Sequence, residues 1–507
     1  MASKWWTLLA VCLAIFMLLL DITIVNVALP DIQRELRASF SDLQWVIDAY
    51  ALTLAALLLT AGSLSDLFGR RRIFVIGIVI FTIASALCAL AGTPLVLNLA
   101  RALQGIGGAF MFATSLALLA SAFQGRDRGT AFGVWGAVTG ASVAVGPLVG
   151  GVLTDGIGWE AIFLVNVPIG IGAIAMTLAK VEESHAPSGG LIDWPGLVTF
   201  SGGLFALIFA LIRGNAEGWG APLIVGCLVA AVVLGTAFVL VERRSAQPML
   251  DLSLFSKPAF AGASIAAFVL SASMFSMFLY LTLYIQNILG YSPLESGLRF
   301  LPVTLLSFLV APVSGKLAER LGIRWFLGAG LFCVGLGLFL MSGLEPGDDW
   351  TALLAGFLIA GGGIGLTNPA LATAAIGVVE PRRSGMASGI NSTFRQVGVA
   401  TGIAAWGAVF QHVVASRFTE EAVRARLQAP RGVSGNIADF VSFGGAQRTG
   451  NGPLIRAAEA SFDAGLNHIL LIAAIVALVG SALCAVLVRP ADFVAHAPAG
   501  APAAAEV

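Results

Sequence analysis

Charge is what this chain has least of. Asp, Glu, Lys and Arg make up 11% of its 507 residues, 58% are hydrophobic, and mean hydropathy is +0.92. A soluble globular chain carries about 25% charge, so water cannot be the only environment. Lys and Arg number 28, as do Asp and Glu. A balance of that kind gives no sign of nucleic acid or of an acidic partner. The five cysteines (Cys12, Cys88, Cys227, Cys333, Cys484) sit inside apolar runs without CxxC or ligand spacing, and read as small hydrophobes. The four histidines (His185, His412, His468, His496) are dispersed, with no HExxH. There is no GxSxG elbow and no Walker loop, so hydrolysis, metal chemistry and direct use of ATP find no support. No enzyme activity, metal or cofactor is expected. The run Gly361-Gly362-Gly363-Ile364-Gly365 has no strand before it and lies in an apolar stretch, where glycines serve helix packing and not a dinucleotide.

What the chain does have is long apolar runs. Windows of about 20 residues place spans near 6–28, 44–65, 73–92, 95–118, 130–153, 161–180, 194–213, 221–241, 259–285, 296–315, 325–343, 351–372, 386–410 and 465–488. No A-x-A cleavage signal follows the first, so it reads as an uncleaved span. Backbone in lipid must satisfy itself, so each span is a helix and the fold an all-α membrane bundle. With the N-terminus inside, inner loops and tails carry 16 Lys and Arg, and short outer loops three (Arg34, Arg37, Arg213). That bias predicts two cytoplasmic termini and a multi-pass protein of the cytoplasmic membrane.

Two stretches repeat. Gly62-Ser-Leu-Ser-Asp66-Leu-Phe-Gly69-Arg70-Arg71-Arg72 and Gly315-Lys316-Leu-Ala-Glu319-Arg320-Leu-Gly322-Ile-Arg324 share the order glycine, acid, glycine, base, and lie 253 residues apart. Arg128-Gly129-Thr-Ala131-Phe-Gly133 and Ser384-Gly385-Met-Ala387-Ser-Gly389 repeat at an offset of 256 from Gly129 to Gly385. Two parallel halves are one transporter plan, with the substrate site between them. The expected domains are a six-helix half at 1–185, a two-helix insertion with linkers at 186–258, and a six-helix half at 259–490. A disordered Ala/Pro tail is expected at 491–507, and 411–463 is expected to be the long outer loop with short amphipathic helices near Glu420 and Leu454.

Along nearly its whole length the chain resembles the fourteen-span drug:proton antiporters of the major facilitator superfamily. The resemblance rests on Leu20-Asp21-Ile-Thr23-Ile-Val25-Asn26-Val-Ala28-Leu-Pro30, Trp45-Val-Ile-Asp48-Ala-Tyr50, and the Gly62–Arg72 loop. It extends to Arg101-Ala-Leu-Gln104-Gly105, Gly146-Pro147-Leu-Val-Gly150-Gly151 and Phe163-Leu-Val-Asn166-Val-Pro168-Ile-Gly170. The chain departs from the family pattern at Ser142, where a further glycine is usual, and at Glu160, where an arginine is usual. The resemblance implies a bundle of fourteen helices in a six plus two plus six arrangement. It also implies multidrug efflux, proton-coupled antiport of cationic or neutral amphipathic molecules, with membrane lipid as the surroundings, and the expected state is a monomer. Two rivals stay open, a dedicated exporter of one endogenous molecule (a lipid, siderophore or self-made antibiotic) and a non-transporting sensor or scaffold.

Candidate site residues follow. Asp21 is an intramembrane acid, and such residues are functional by default. Arg101, on an antiparallel span, reaches a similar depth, so the pair is either the proton-coupling site or a static ion pair. Asp48, near the outer end of its span, is either an interfacial acid or a relay. In the Gly62–Arg72 loop, Gly62 and Gly69 allow a tight turn and Asp66 can meet the positive end of a helix from the other half, near Ser384-Gly385. Arg70 and Arg71 anchor to anionic headgroups on this reading, and the loop either gates the protein or only fixes topology. Gly146-Pro147 and Gly150 admit close packing, with Pro147 either an active or a passive bend. Arg395 lacks an acid in its own half and faces either a water-filled cavity, an anionic ligand or carbonyls. Asn26, Phe112, Trp135, Met274, Phe275 and Phe278 complete the candidate substrate cavity.

Overall fold

The computed structural model describes residues 3–38, 40–123, 126–184, 193–245, 248–380, 383–424, 437–442 and 444–489. Among them there is no strand. The long helices are α1 Ser3–Leu36, α2 Phe40–Phe68, α3 Arg70–Ala89, α4 Pro94–Ala122, α5 Arg126–Gly156, and α6 in two pieces, Ala161–Leu164 and Asn166–Lys180. Then come α7 Trp194–Glu217 and α8 Pro222–Arg244. The last six are α9 over the span Pro258–Ile288, α10 Leu301–Leu321, α11 Ile323–Met341, α12 Leu354–Gly377, α13 Ser384–Arg424 and α14 Gly452–Leu487. Thirteen of the fourteen are long and apolar enough to cross a membrane. The fourteenth, α5, has 31 residues and packs between α1 and α10.

Local chemistry sets the helix ends. Proline stands in the first two positions of α4, α7, α8, α9, α10 and α14, where its missing N–H costs nothing and its φ is already helical. Thr93 and Asp193 cap α4 and α7 through their side-chain oxygens. The two repeated loops turn on the same device. Gly69 (φ 105°) joins α2 to α3 and Gly322 (φ 97°) joins α10 to α11, in a region that a side chain disfavours.

Helices α1–α6 enclose apolar cores around Phe74, Phe81 and Phe132 and around Trp159 and Phe163. Helices α9–α14 enclose another around Phe260, Phe357 and Phe462. The two groups meet along α2 with α13 and α5 with α10. Cβ-free surfaces make both contacts. A methyl on Gly62 would overlap the Gly385 carbonyl, and one on Gly389 would come within 2.8 Å of Leu58 O. In the counterpart, a methyl on Gly315 would overlap Gly129 O, and one on Gly133 would lie 2.8 Å from Ala311 O. In lipid, where apolar burial gives helices no preference for each other, such close backbone approach is what holds them. Both contacts lie toward the end of the bundle that carries the Arg70–Arg72 loop, here called the basic end.

Two expectations are corrected. Helices run past the apolar windows: α1 continues to Leu36, and the stretches near Glu420 and Leu454 are the ends of α13 and α14 and not separate short helices. Residues 411–424 contain neither glycine nor proline, and backbone hydrogen bonding need not stop where hydropathy does. Arg213 is no loop residue but a buried member of α7. Helix α7 packs against both α2 and α13, with Thr60 Oγ1 to Ser201 Oγ at 2.9 Å and Asn215 donating to Ala404 O at 2.8 Å. Residues 425–436 and the expected tail at 491–507 lie outside the described residues.

Candidate functional site

Asp21 lies near the middle of α1, and none of its surface is exposed. Its Oδ2 accepts from Arg101 Nη1 at 2.5 Å, and its Oδ1 accepts from Gln104 Nε2 at 2.9 Å and Asn166 Nδ2 at 3.0 Å. A buried carboxylate survives only when paired and fully hydrogen-bonded, and here α4 and α6 supply every donor. The partners are themselves held. Arg101 Nε donates to Val46 O at 2.9 Å, and its guanidinium lies 4.4 Å from the Tyr50 ring. Arg101 Nη1 also donates to Gln104 Oε1 at 2.6 Å. Gln104 and Asn166 both donate to Ser85 Oγ, at 3.0 and 2.9 Å, and Ser85 donates to Phe163 O. Five helices thus meet at one carboxylate.

Of this cluster, Asp21 and Arg101 were singled out from sequence as site residues. Gln104, Asn166, Ser85 and Tyr50 were not. The spacing of Gln104, three residues after Arg101 on one helix face, is the signal that was present.

Immediately beyond Asp21, α1 rests on α5. A methyl on Gly146 would overlap Thr23 Oγ1, and one on Gly150 would lie 3.0 Å from Ile24 Cγ1. This glycine pair is therefore a seat for α1 next to the buried acid. The side chains of Pro147 and Asn26 lie outside the described residues.

At the basic end, Asp66 is nearly buried and bridges the two groups of helices. Its Oδ1 accepts from Gly385 N at 3.0 Å and its Oδ2 from Met386 N at 2.9 Å, at the first turn of α13. There the unpaired amides and the positive end of the helix dipole both favour an anion. Arg70 closes over the same carboxylate with Nε at 3.1 Å and Nη2 at 2.8 Å. Arg70 is thus buried and does not anchor to headgroups. Arg71 Nη2 donates to Leu178 O at 2.7 Å, and the Glu183 carboxylate accepts from the amides of Arg71 and Arg72 at the start of α3. Arg72 extends outward.

The remaining candidates separate. Asp48, at the opposite end of α2, lies 3.9 Å from Arg213 of α7, which also donates to Gln44 Oε1 and Glu217 Oε1, both at 2.8 Å. Phe112 and Trp135 pack together at 6.0 Å between ring centres. Met274 is wholly buried in the core of α9–α14, in a π-helical turn Ser271–Phe275. Phe275 lies 5.8 Å from the Arg395 guanidinium and 6.1 Å from Phe278. The structure does not bring Asp48, Arg395 and Asp21 together.

Two six-helix groups joined by glycine contacts at one end, with a buried ion pair inside one of them, define a multi-pass membrane transporter. The Major Facilitator Superfamily family model matches residues 11–403, and the chain belongs to that family. It is 34% identical over 505 residues to the tetracenomycin C resistance and export protein of Streptomyces glaucescens, covering 97% of this chain and 93% of that one. It is 39% identical over 404 residues to the multidrug resistance protein Stp of Mycobacterium tuberculosis (strain CDC 1551 / Oshkosh), covering 80% and 75%. It is 38% identical over 407 residues to the puromycin resistance protein pur8 of Streptomyces alboniger, covering 79% and 80%. Among solved structures it shares the fold of the human organic anion transporter MFSD10, at 14% identity and TM-score 0.61, covering 94% and 99%.

Proposed function

We propose that the protein is a proton-coupled antiporter that exports amphipathic small organic molecules across the cytoplasmic membrane, with its basic end and both termini in the cytoplasm. The observation that carries this reading is the donor set around Asp21. Both carboxylate oxygens face N–H donors only, so a proton on either would set donor against donor. The neutral acid therefore fits a different arrangement of α1 against α4 and α6 from the ionised one. Support also comes from relatives whose names are resistance and export proteins.

The same cluster touches two of the helices that reach the other half. Arg101 holds α2 through Val46 O and Tyr50, and α2 carries Asp66 to α13. Thr23 and Ile24, just after Asp21, hold α5, which packs on α10. Loss of the Asp21 charge loosens α1 from Arg101 and is felt at both contacts on the cytoplasmic side. Substrate loads when those contacts open, Asp21 giving up its proton, and leaves when they close and the opposite side admits a proton. Export of an antibiotic panel from proteoliposomes under an imposed pH gradient tests this. Gradient-dependent export supports the reading, and indifference to the gradient would overturn it.

A further inference from the structure

On the faces that α10 and α12 turn toward α5, and on the neighbouring α13, which packs on α2 and α4, lies a group of polar side chains with few partners. Arg395 is 7% exposed, and Ser388, Asn391, Asn368 and Ser307 are between 0% and 3% exposed. Ser388, Asn391 and Arg395 are spaced by three and four residues, so they share one face of α13. Arg395 Nη2 donates to Asn368 Oδ1 at 2.7 Å, and among the described residues no carboxylate lies within ion-pair distance of it. Asn368 lies against α5 at Gly136, where an added methyl would stand 3.2 Å from its Cβ, and Ser307 against Gly140 at 3.5 Å. Asn368 Nδ2, Asn391 Nδ2, Ser388 Oγ, Ser307 Oγ and the neighbouring Trp135 Nε1 are buried without a hydrogen-bond partner among the described residues.

The character of this set is one-sided. It offers a guanidinium, two amide NH₂ groups, an indole N–H and two hydroxyls, and no anionic group. Buried polar groups without partners in a family of transporters mark where a guest makes its bonds. Water can satisfy the neutral members, but a buried cation calls for a counter-charge. We infer that this face is the substrate-recognition surface and that it selects acceptor-rich aromatic molecules carrying a carboxylate or phenolate, with Arg395 as the charge-reading residue. This rests on the transport function proposed above and reverses the charge preference that the family resemblance implied. Phe275, beside Arg395, supplies an aromatic edge for the guest's ring.

The test uses purified full-length protein in nanodiscs and two fluorescent probes of opposite charge, carboxyfluorescein and ethidium, with affinity read by anisotropy. Both affinities come from one preparation, so their ratio does not depend on the fraction folded. The wild type is expected to bind carboxyfluorescein more tightly than ethidium. Arg395→Gln is expected to lower the carboxyfluorescein affinity about tenfold or more relative to ethidium, since a hydrogen-bonded charge is lost. Arg395→Lys, which keeps charge without the planar fork, is expected to fall between. An unchanged affinity ratio in Arg395→Gln, or a wild type that binds only ethidium or neither probe, overturns the assignment. Binding is read without a proton gradient, so failure here is distinguishable from failure of proton-coupled export, which the proteoliposome assay reads.

Discussion

Asp66→Ala removes the two bonds by which α2 holds the first turn of α13, at 3.0 and 2.9 Å. A hydrogen bond to a charged group contributes about 1.5–3 kcal/mol, so the pair stabilises the closed basic end by about 3–6 kcal/mol. The lower figure already shifts an equilibrium by about a hundredfold, and Arg70 loses its carboxylate as well. The glycine contact of Gly62 with Gly385 remains, and so does the α5–α10 contact, so the protein is expected to fold. Asp66→Asn keeps an acceptor but not the charge, and is expected to lose about half as much. Spin labels at Phe68 on α2 and Leu321 on α10, both exposed at the basic end, report the separation of the two groups by pulsed electron resonance in nanodiscs. The expected result is a short distance in the wild type and a second, longer population in Asp66→Ala. A distribution in Asp66→Ala that superimposes on wild type would refute the idea that this carboxylate holds the end closed.

Further outcomes are expected at three other places. Gly146→Ala drives a methyl into Thr23 Oγ1 and, like other overpacking, is expected to cost about 1–3 kcal/mol. Thr23→Gly in the same chain should restore thermal stability and export, and failure of that rescue would remove the α1 seat from the account. Arg213→Ala loses the bonds to Gln44 and Glu217, so thermal unfolding should show a loss of about 1–3 kcal/mol that is non-additive with Gln44→Ala. Asp251 is held below its ordinary 3.8 by bonds from Ser253 and then by Arg383 at 2.6 Å. Its contribution is therefore present above pH 3.8 and lost as pH falls through its lower folded value. The small stability difference between wild type and Asp251→Asn should accordingly be seen at pH 7 and vanish in strong acid.

How much of this was legible beforehand differs by residue. The fourteen helices were, because backbone in lipid allows nothing else and each apolar run marks one. The approach of Asp66 to α13 was legible too, since a repeated loop with one acid and a helix start with a glycine leave few pairings. Gln104 was marked only by its spacing from Arg101, and Asn166 and Ser85 were hidden. Each is a lone-looking polar residue in a largely apolar stretch, and only the rotation of α3, α4 and α6 about α1 shows that Gln104 and Asn166 meet Asp21 and that Ser85 meets both of them. Arg213 was misplaced because a hydropathy window ends at the first charge, whereas α7 continues to Glu217 and folds that charge against Gln44. The gathering of these polar groups around Arg395 without an acid was invisible for the same reason, since it needs α10, α12 and α13 assembled.

Whether Asp21 carries the coupled proton is decided by proton release on ligand binding by purified protein, wild type against Asp21→Asn. Asparagine keeps the shape and one acceptor but cannot titrate. Ligand-dependent release is expected from the wild type, none from Asp21→Asn, and a shifted pH dependence in Arg101→Lys, which loses the planar fork that reaches Asp21, Gln104 and Val46 O. Equal release from wild type and Asp21→Asn would contradict that role and move the coupling acid elsewhere, with Asp48 beside Arg213 the next to be tested.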